Sequence, residues 1–181
     1  AAIASEQTAI AGGENGCVAI TSYGGDSWNY KIMTGNEQIL SAVCLDETQF
    51  LVGGKNGAVY KSSNQGVNWA RCVSGTGSDI EKMVFINDVG LAACSMGSIL
   101  KTTDGGLNWV EVSNWGNTIF HDIAWVDSQK AMAVADGITI ITTDSGNSWD
   151  SLLTGFNFHF RRIASTGNNH IVIIGDSLKC I

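Results

Sequence analysis

KTTDGGLNW, residues 101–109, decides how this chain is read, because it recurs. ITTDSGNSW stands at 141–149, KSSNQGVNW at 61–69 and ITSYGGDSW at 20–28. Trp28, Trp69, Trp109 and Trp149 are therefore 41, 40 and 40 residues apart. A near-constant period of this size means repeated supersecondary units. Each copy has one grammar: a β-prone run, two hydroxyl residues, a polar turn, a glycine (Gly25, Gly66, Gly106, Gly146), and the tryptophan three residues on. Asp, Asn, Ser and Gly clustered between β-prone runs signal strand, turn, strand. Asp104 and Asp144 can accept hydrogen bonds from backbone N–H groups of their own turns. The glycine supplies a positive φ, and the tryptophan ring can pack on a neighbouring unit.

Working outward, each unit of about 40 residues holds three β-prone runs before the tryptophan's own strand, as in EKMVFI, GLAAC and the SILKT that leads into the 101–109 turn. A last, partial copy (RRIAS, HIVIIG, SLKCI) aligns on the fourth at a shift of 40, placing Asp136 on Asp176 and Ile141 on Ile181. Four strands per unit is the pattern of a β-propeller blade, whose faces must be covered by its neighbours. The expected fold is all-β: a propeller of four-stranded blades, five-bladed or an incomplete larger ring, forming a single domain over residues 1–181. The blades fall at about 1–35, 36–76, 77–116, 117–156 and 157–181, the last partial. The missing initiator Met points to a processed product or a piece of something longer.

The repeated turn resembles the Asp-box, or bacterial neuraminidase repeat, with the pattern S/T-x-D-x-G-x-x-W. Thr102, Asp104, Gly106 and Trp109 complete it, as do Thr142, Asp144, Gly146 and Trp149. Ser62, Asn64, Gly66 and Trp69 carry Asn for Asp, and the first copy carries Tyr23 there. GSILKTTDGGLNW (97–109) also resembles the unit of propellers like the photosystem II stability/assembly factor, although this chain is short for that seven-bladed ring and lacks its basic patch. The resemblance implies that the box is a structural hairpin, so Asp104 and Asp144 read as turn staples rather than catalytic acids. It also implies a non-enzymatic platform.

Composition narrows the function classes. A net charge of −7 with ten basic residues argues against nucleic acid or an anionic membrane surface as partner. No apolar run approaches the ~20 residues of a membrane span, and the first residues show no signal-like core. Five cysteines without a C-x-x-C pair or repeat spacing read as buried free thiols. That suits cytoplasmic synthesis, or a domain of a larger structural assembly such as a virion.

Enzyme readings find little support. A sialidase-type site needs three converging arginines, and Arg71, Arg161 and Arg162 are the only ones, two of them sequence neighbours on alternating strand faces. A glycosidase needs two facing carboxylates. Asp79, Glu81, Asp122 and Asp127 read as solvated turn or strand-end residues, with no pair singled out. His121, His159 and His170 lack metal-ligand spacing and each reads as a lone polar residue. No catalytic residue, metal or cofactor is expected.

Binding is expected instead on the connections between blades, because loops on a rigid scaffold carry recognition. Those at 29–38, 73–79, 113–118 and 154–159 are the longest, and they or the residues just after them bring Tyr30, Trp115, Phe156, His159 and Arg161. Trp115 and Phe156, in glycine-flanked loops, read as exposed; Phe120 and Phe158 read as core residues. Aromatics with Arg suit docking of a protein partner or a larger assembly, the leading expectation. A carbohydrate-active propeller, binding or cleaving a glycan, is the alternative.

Overall fold

The computed structural model describes residues 1–152, 158–166 and 170–177. The chain is all β and builds a β-propeller. Its first blade contains β1 (Ala2–Ile3), β2 (Ala9–Gly12), β3 (Cys17–Thr21) and β4 (Asn29–Ile32). The second contains β5 (Ile39–Cys44), β6 (Phe50–Gly54), β7 (Val59–Ser62) and β8 (Ala70–Arg71). The third contains β9 (Ile80–Ile86), β10 (Val89–Cys94), β11 (Ser98–Thr102) and β12 (Val110–Asn114). The fourth contains β13 (Phe120–Trp125), β14 (Ala131–Ala135), β15 (Ile138–Thr142) and β16 (Asp150–Leu152), and β17 (Phe158–Ser165) with β18 (Ile171–Ser177) begins a fifth. Within each blade the strands pair antiparallel in chain order. The first strands β5, β9, β13 and β17 pack on one another in sequence, so they are innermost.

Period-two alternation explains how blades stack. In β14, Ala131, Ala133 and Ala135 pack with Leu91, Ala93 and Ile99 of the third blade. Met132 and Val134, pointing the other way, pack with Phe160 and Ile163 of the fifth. Strands covered on both sides are apolar at every position, and β6 and β14 are buried throughout. The same logic exposes the two ends. Val172 and Ile174 occupy on β18 the places of Met132 and Val134, yet are 57% and 59% exposed, and Ile3 of the first blade is 78% exposed. A closed five-bladed ring would bury these faces against each other. The described blades instead form an open arc, the incomplete ring of the two arrangements the sequence allows.

The repeated turn is closed by its own polar groups. Thr102 Oγ1 accepts from the amide of Gly106 at 3.1 Å, and Asp104 Oδ1 accepts from those of Leu107 and Asn108 at 2.9 and 3.0 Å. Trp109 Nε1 donates to Gly106 O at 3.0 Å. Thr142 and Asp144 repeat the backbone contacts, but Trp149 Nε1 is buried with no acceptor among the described residues. Gly106 has φ +90, and a Cβ there would lie 2.2 Å from Leu51 Cδ2 of the preceding blade. The glycine is thus required twice, by the turn and by the close approach of the next sheet. Tryptophan burial follows the cover available among the described blades: Trp109 is 3% and Trp149 8% exposed, Trp69 is half-buried, and Trp28, in the first described blade, is 36% exposed.

Cys94 is buried and Cys17, Cys44 and Cys72 are half-buried, all free. Burial, with Asp46 nearby, pushes the Cys44 thiol up to about 11. Among the described residues no helix is long and apolar enough to cross a membrane.

Candidate functional site

The inner strands share an irregularity. Pairing slips between Ile39 and Ser41, at the Ala93–Cys94 step opposite Lys82 and Ile80, between Phe120 and Asp122, and between Phe160 and Arg162. Leu40, Glu81, His121 and Arg161 are therefore extra residues at one recurring β-bulge. A bulge re-aims side chains and breaks strict alternation. Consecutive residues Glu81-Lys82 and His121-Asp122 accordingly line one central cavity of about 370 Å³, with Ala1, Leu40 and Arg162. Residues from all five blades thus converge on the channel.

Beside the cavity, side chains from β13 and β17 meet at one carboxylate. Asp136, in the turn after β14, holds Oδ1 3.2 Å from His121 Nε2, 3.1 Å from His159 Nδ1 and 3.2 Å from an Arg161 terminal nitrogen. The His159 contact lacks the alignment of a hydrogen bond. Arg161 also donates through Nε to Asp176 at 3.2 Å, and its terminal nitrogen lies 2.9 Å from His121 Nε2. His121 Nε2 cannot accept from Arg161 and donate to Asp136 at once. The first role needs the neutral ring with its proton on Nδ1, and the second needs Nε2 protonated. Burial acts to raise the Asp136 carboxyl, but the contacts from His159 and His121 and the Arg161 charge outweigh it and hold it below the ordinary carboxylate range. Glu81 is raised, by burial first and then by Asp79. The mouth can therefore present cationic donors on a protein that is acidic as a whole.

These placements correct several readings. His121 and His159 are not lone polar residues, because both are drawn to Asp136; His170 is exposed. Asp122 is not solvated. It is 5% exposed and accepts from the amides of Ile123 and, 41 residues away, Ile163, each at 3.0 Å. It pins β13 to β17, as Ser41 Oγ pins β5 to β9 by accepting from the Met83 amide at 2.9 Å. Asp79 accepts from the amide of Asn56 in the preceding blade's turn, and Asp127 closes its own turn through the amides of Gln129 and Lys130.

Trp115 is not an exposed loop ring. It is half-buried against the core shared by the third and fourth blades, with Nε1 donating to Ser113 Oγ at 2.8 Å. Phe120 is fully buried. Tyr30 is 68% exposed but belongs to strand β4, not a loop, and lies on the rim away from His159 and Arg161. Phe156 lies outside the described residues, as does the side chain of Phe158. Among the described residues no group of three or more His, Cys, Asp or Glu is arranged to hold a metal ion.

The fold and this channel define the class, a β-propeller with a charged mouth. No protein-family model matches the chain, and no curated protein matches it. Solved structures do. YCF48 bound to a D1 peptide superposes with TM-score 0.76 at 13% identity, over 96% of this chain and 59% of that one. The WD40 propeller domain of Doa1 gives 0.75 at 15% identity, over 95% and 59%. An ancestral GH74 enzyme gives 0.75 at 18%, over 94% and 28%. The chain spans about six-tenths of the length of the first two, and at these identities the likeness is one of fold.

Proposed function

We propose that this chain is a non-enzymatic propeller module that docks a protein segment at the channel mouth, as part of a larger assembly. The observation that carries this is the convergence of His121, Asp136, His159 and Arg161 beside the central cavity. An acidic peptide segment fits that chemistry, with Arg161 and Arg162 as carboxylate partners. A propeller of the same fold, YCF48, has been solved with a peptide bound, which supports the reading by analogy. The repeated turns are read as Asp-box hairpins with a structural role: their carboxylates are spent on their own backbone. The carbohydrate reading draws on a different place, the outer rim, and on binding rather than turnover.

The test is a peptide-display selection on the wild-type chain, repeated with Arg161→Ala and Arg162→Ala. Enrichment of acidic sequences that either variant loses is the expected result. Peptides that bind both variants as well as wild type would remove the mouth from the account.

A further inference from the structure

A groove of about 500 Å³ opens on the rim between the first and second blades, independent of the channel mouth. One wall is Tyr23 together with Asn29, Tyr30 and Lys31 of β4; the other is the Gln65–Val67 turn. It continues past Lys31 and Val67 into a second hollow of about 200 Å³ walled by Trp69 and Arg71. Tyr23 and Tyr30 are 63% and 68% exposed.

Both tyrosines mark departures from the repeat. Tyr23 stands where Asn64, Asp104 and Asp144 accept backbone N–H groups to close their turns. Of the side-chain contacts, the first turn keeps those of Thr21 Oγ1 and Trp28 Nε1, beside its backbone bond from Asp26 N to Tyr23 O. Tyr30 occupies the position of Arg71, Glu111 and Ser151. A position that abandons the local rule with no structural gain is where function is expected. The surrounding polar groups are uncommitted: no side-chain hydrogen bond within the described residues engages Ser22, Asn29, Lys31, Gln65 or either tyrosine hydroxyl.

We infer that this groove binds a short carbohydrate chain. Two tyrosine rings offer flat apolar faces to the C–H faces of pyranose rings, with a polar tip on each. The Asn29 and Gln65 amides, the Ser22 hydroxyl and the Lys31 ammonium supply donors and acceptors for sugar hydroxyls. The volume lies in the range of small-molecule sites. A groove for an extended peptide would be lined by apolar side-chain slots; here Ile20 and Val67 are outnumbered by Ser22, Asn29, Lys31 and Gln65 around the two rings.

Saturation-transfer NMR with hexamers of β-1,4-linked glucose, β-1,4-linked N-acetylglucosamine and galacturonate tests it. At least one hexamer is expected to show transfer, and Tyr23→Ala or Tyr30→Ala should weaken it about tenfold. Tyr30→Phe should retain most of the affinity, since the ring face remains, and Asp136→Ala should leave it unchanged. Both tyrosines are exposed, so these variants keep the fold, checked by circular dichroism. No transfer from any hexamer, transfer insensitive to both alanine variants, or occupation of the groove by a display-selected peptide instead would each overturn the inference. The two glycan outcomes leave the mouth reading untouched, because its variants lie elsewhere, whereas a display-selected peptide in the groove would count against both.

Discussion

Replacing Trp109 by alanine removes the ring on which the stacking of the second and third blades turns. Trp109 is 3% exposed and packs edge-to-face on Phe85, centroids 5.7 Å apart and planes at 84°. Its Nε1 donates to Gly106 O at 3.0 Å inside the hairpin. A buried aromatic truncated to alanine costs about 3–5 kcal/mol through lost transfer energy and the cavity left. The aromatic pair and the hydrogen bond, each about 1 kcal/mol, place this site in the upper part of that range. Trp28 fills the same position in the first blade but is 36% exposed. Trp28→Ala should therefore cost about 1 kcal/mol. Urea unfolding gives both values from the midpoint shift, provided the slope is unchanged. In a chain of this length the larger loss lowers Tm by about 6–20 °C. Equal losses at the two positions would refute the reasoning, since cover by the preceding blade is the only difference it invokes.

Asp122→Ala strands two buried amide donors, Ile123 and Ile163, at about 1–3 kcal/mol each. Hydrogen exchange at the Ile163 amide should accelerate, and an unchanged rate would mean that β13 and β17 are not pinned there. Gly106→Ala combines a φ of +90 with a Cβ 2.2 Å from Leu51 Cδ2, for a loss of about 1–3 kcal/mol or more; a neutral urea midpoint would contradict the close approach. Asp104 is held at about 2: burial acts to raise it, but hydrogen bonds from Asn108, Thr102 and Leu107 outweigh this. Its folded pKa lies below the unfolded value of about 3.9, so its contribution is present above that pH and lost as pH falls towards 2. The group is exposed and the effect correspondingly small. Asp104→Asn should flatten the stability-against-pH curve between about pH 4 and 2, and an unaltered curve would contradict the assignment.

The blades were legible because a 40-residue period, a turn glycine and a tryptophan repeat in one dimension what the fold repeats in space. The ion cluster was not. His121, Asp136 and the His159–Arg161 pair of β17 come from three separate segments, and the bulge on the inner strands helps to bring them together. A signal did exist: at the shift of 40, His121 aligns with Arg161 and Asp136 with Asp176, so two register positions carry four members of the network in two blades, with His159 outside them. Trp115 misled for a local reason. Glycine beside an aromatic suggests an exposed loop, but Gly97 lets the backbone of Trp115 and Gly116 approach closely, and the ring turns inward. Asp122 misled because its partner amide lies 41 residues on, in a strand whose register only the fold reveals.

The central claim, that binding belongs to the channel mouth, is tested most directly by amide chemical-shift mapping of the wild-type chain with a display-selected acidic peptide. The account predicts shifts concentrated at Glu81, His121, Asp136, His159, Arg161 and Arg162. Shifts confined to the turn hairpins or the Tyr23–Tyr30 groove, with those six residues unmoved, would contradict it.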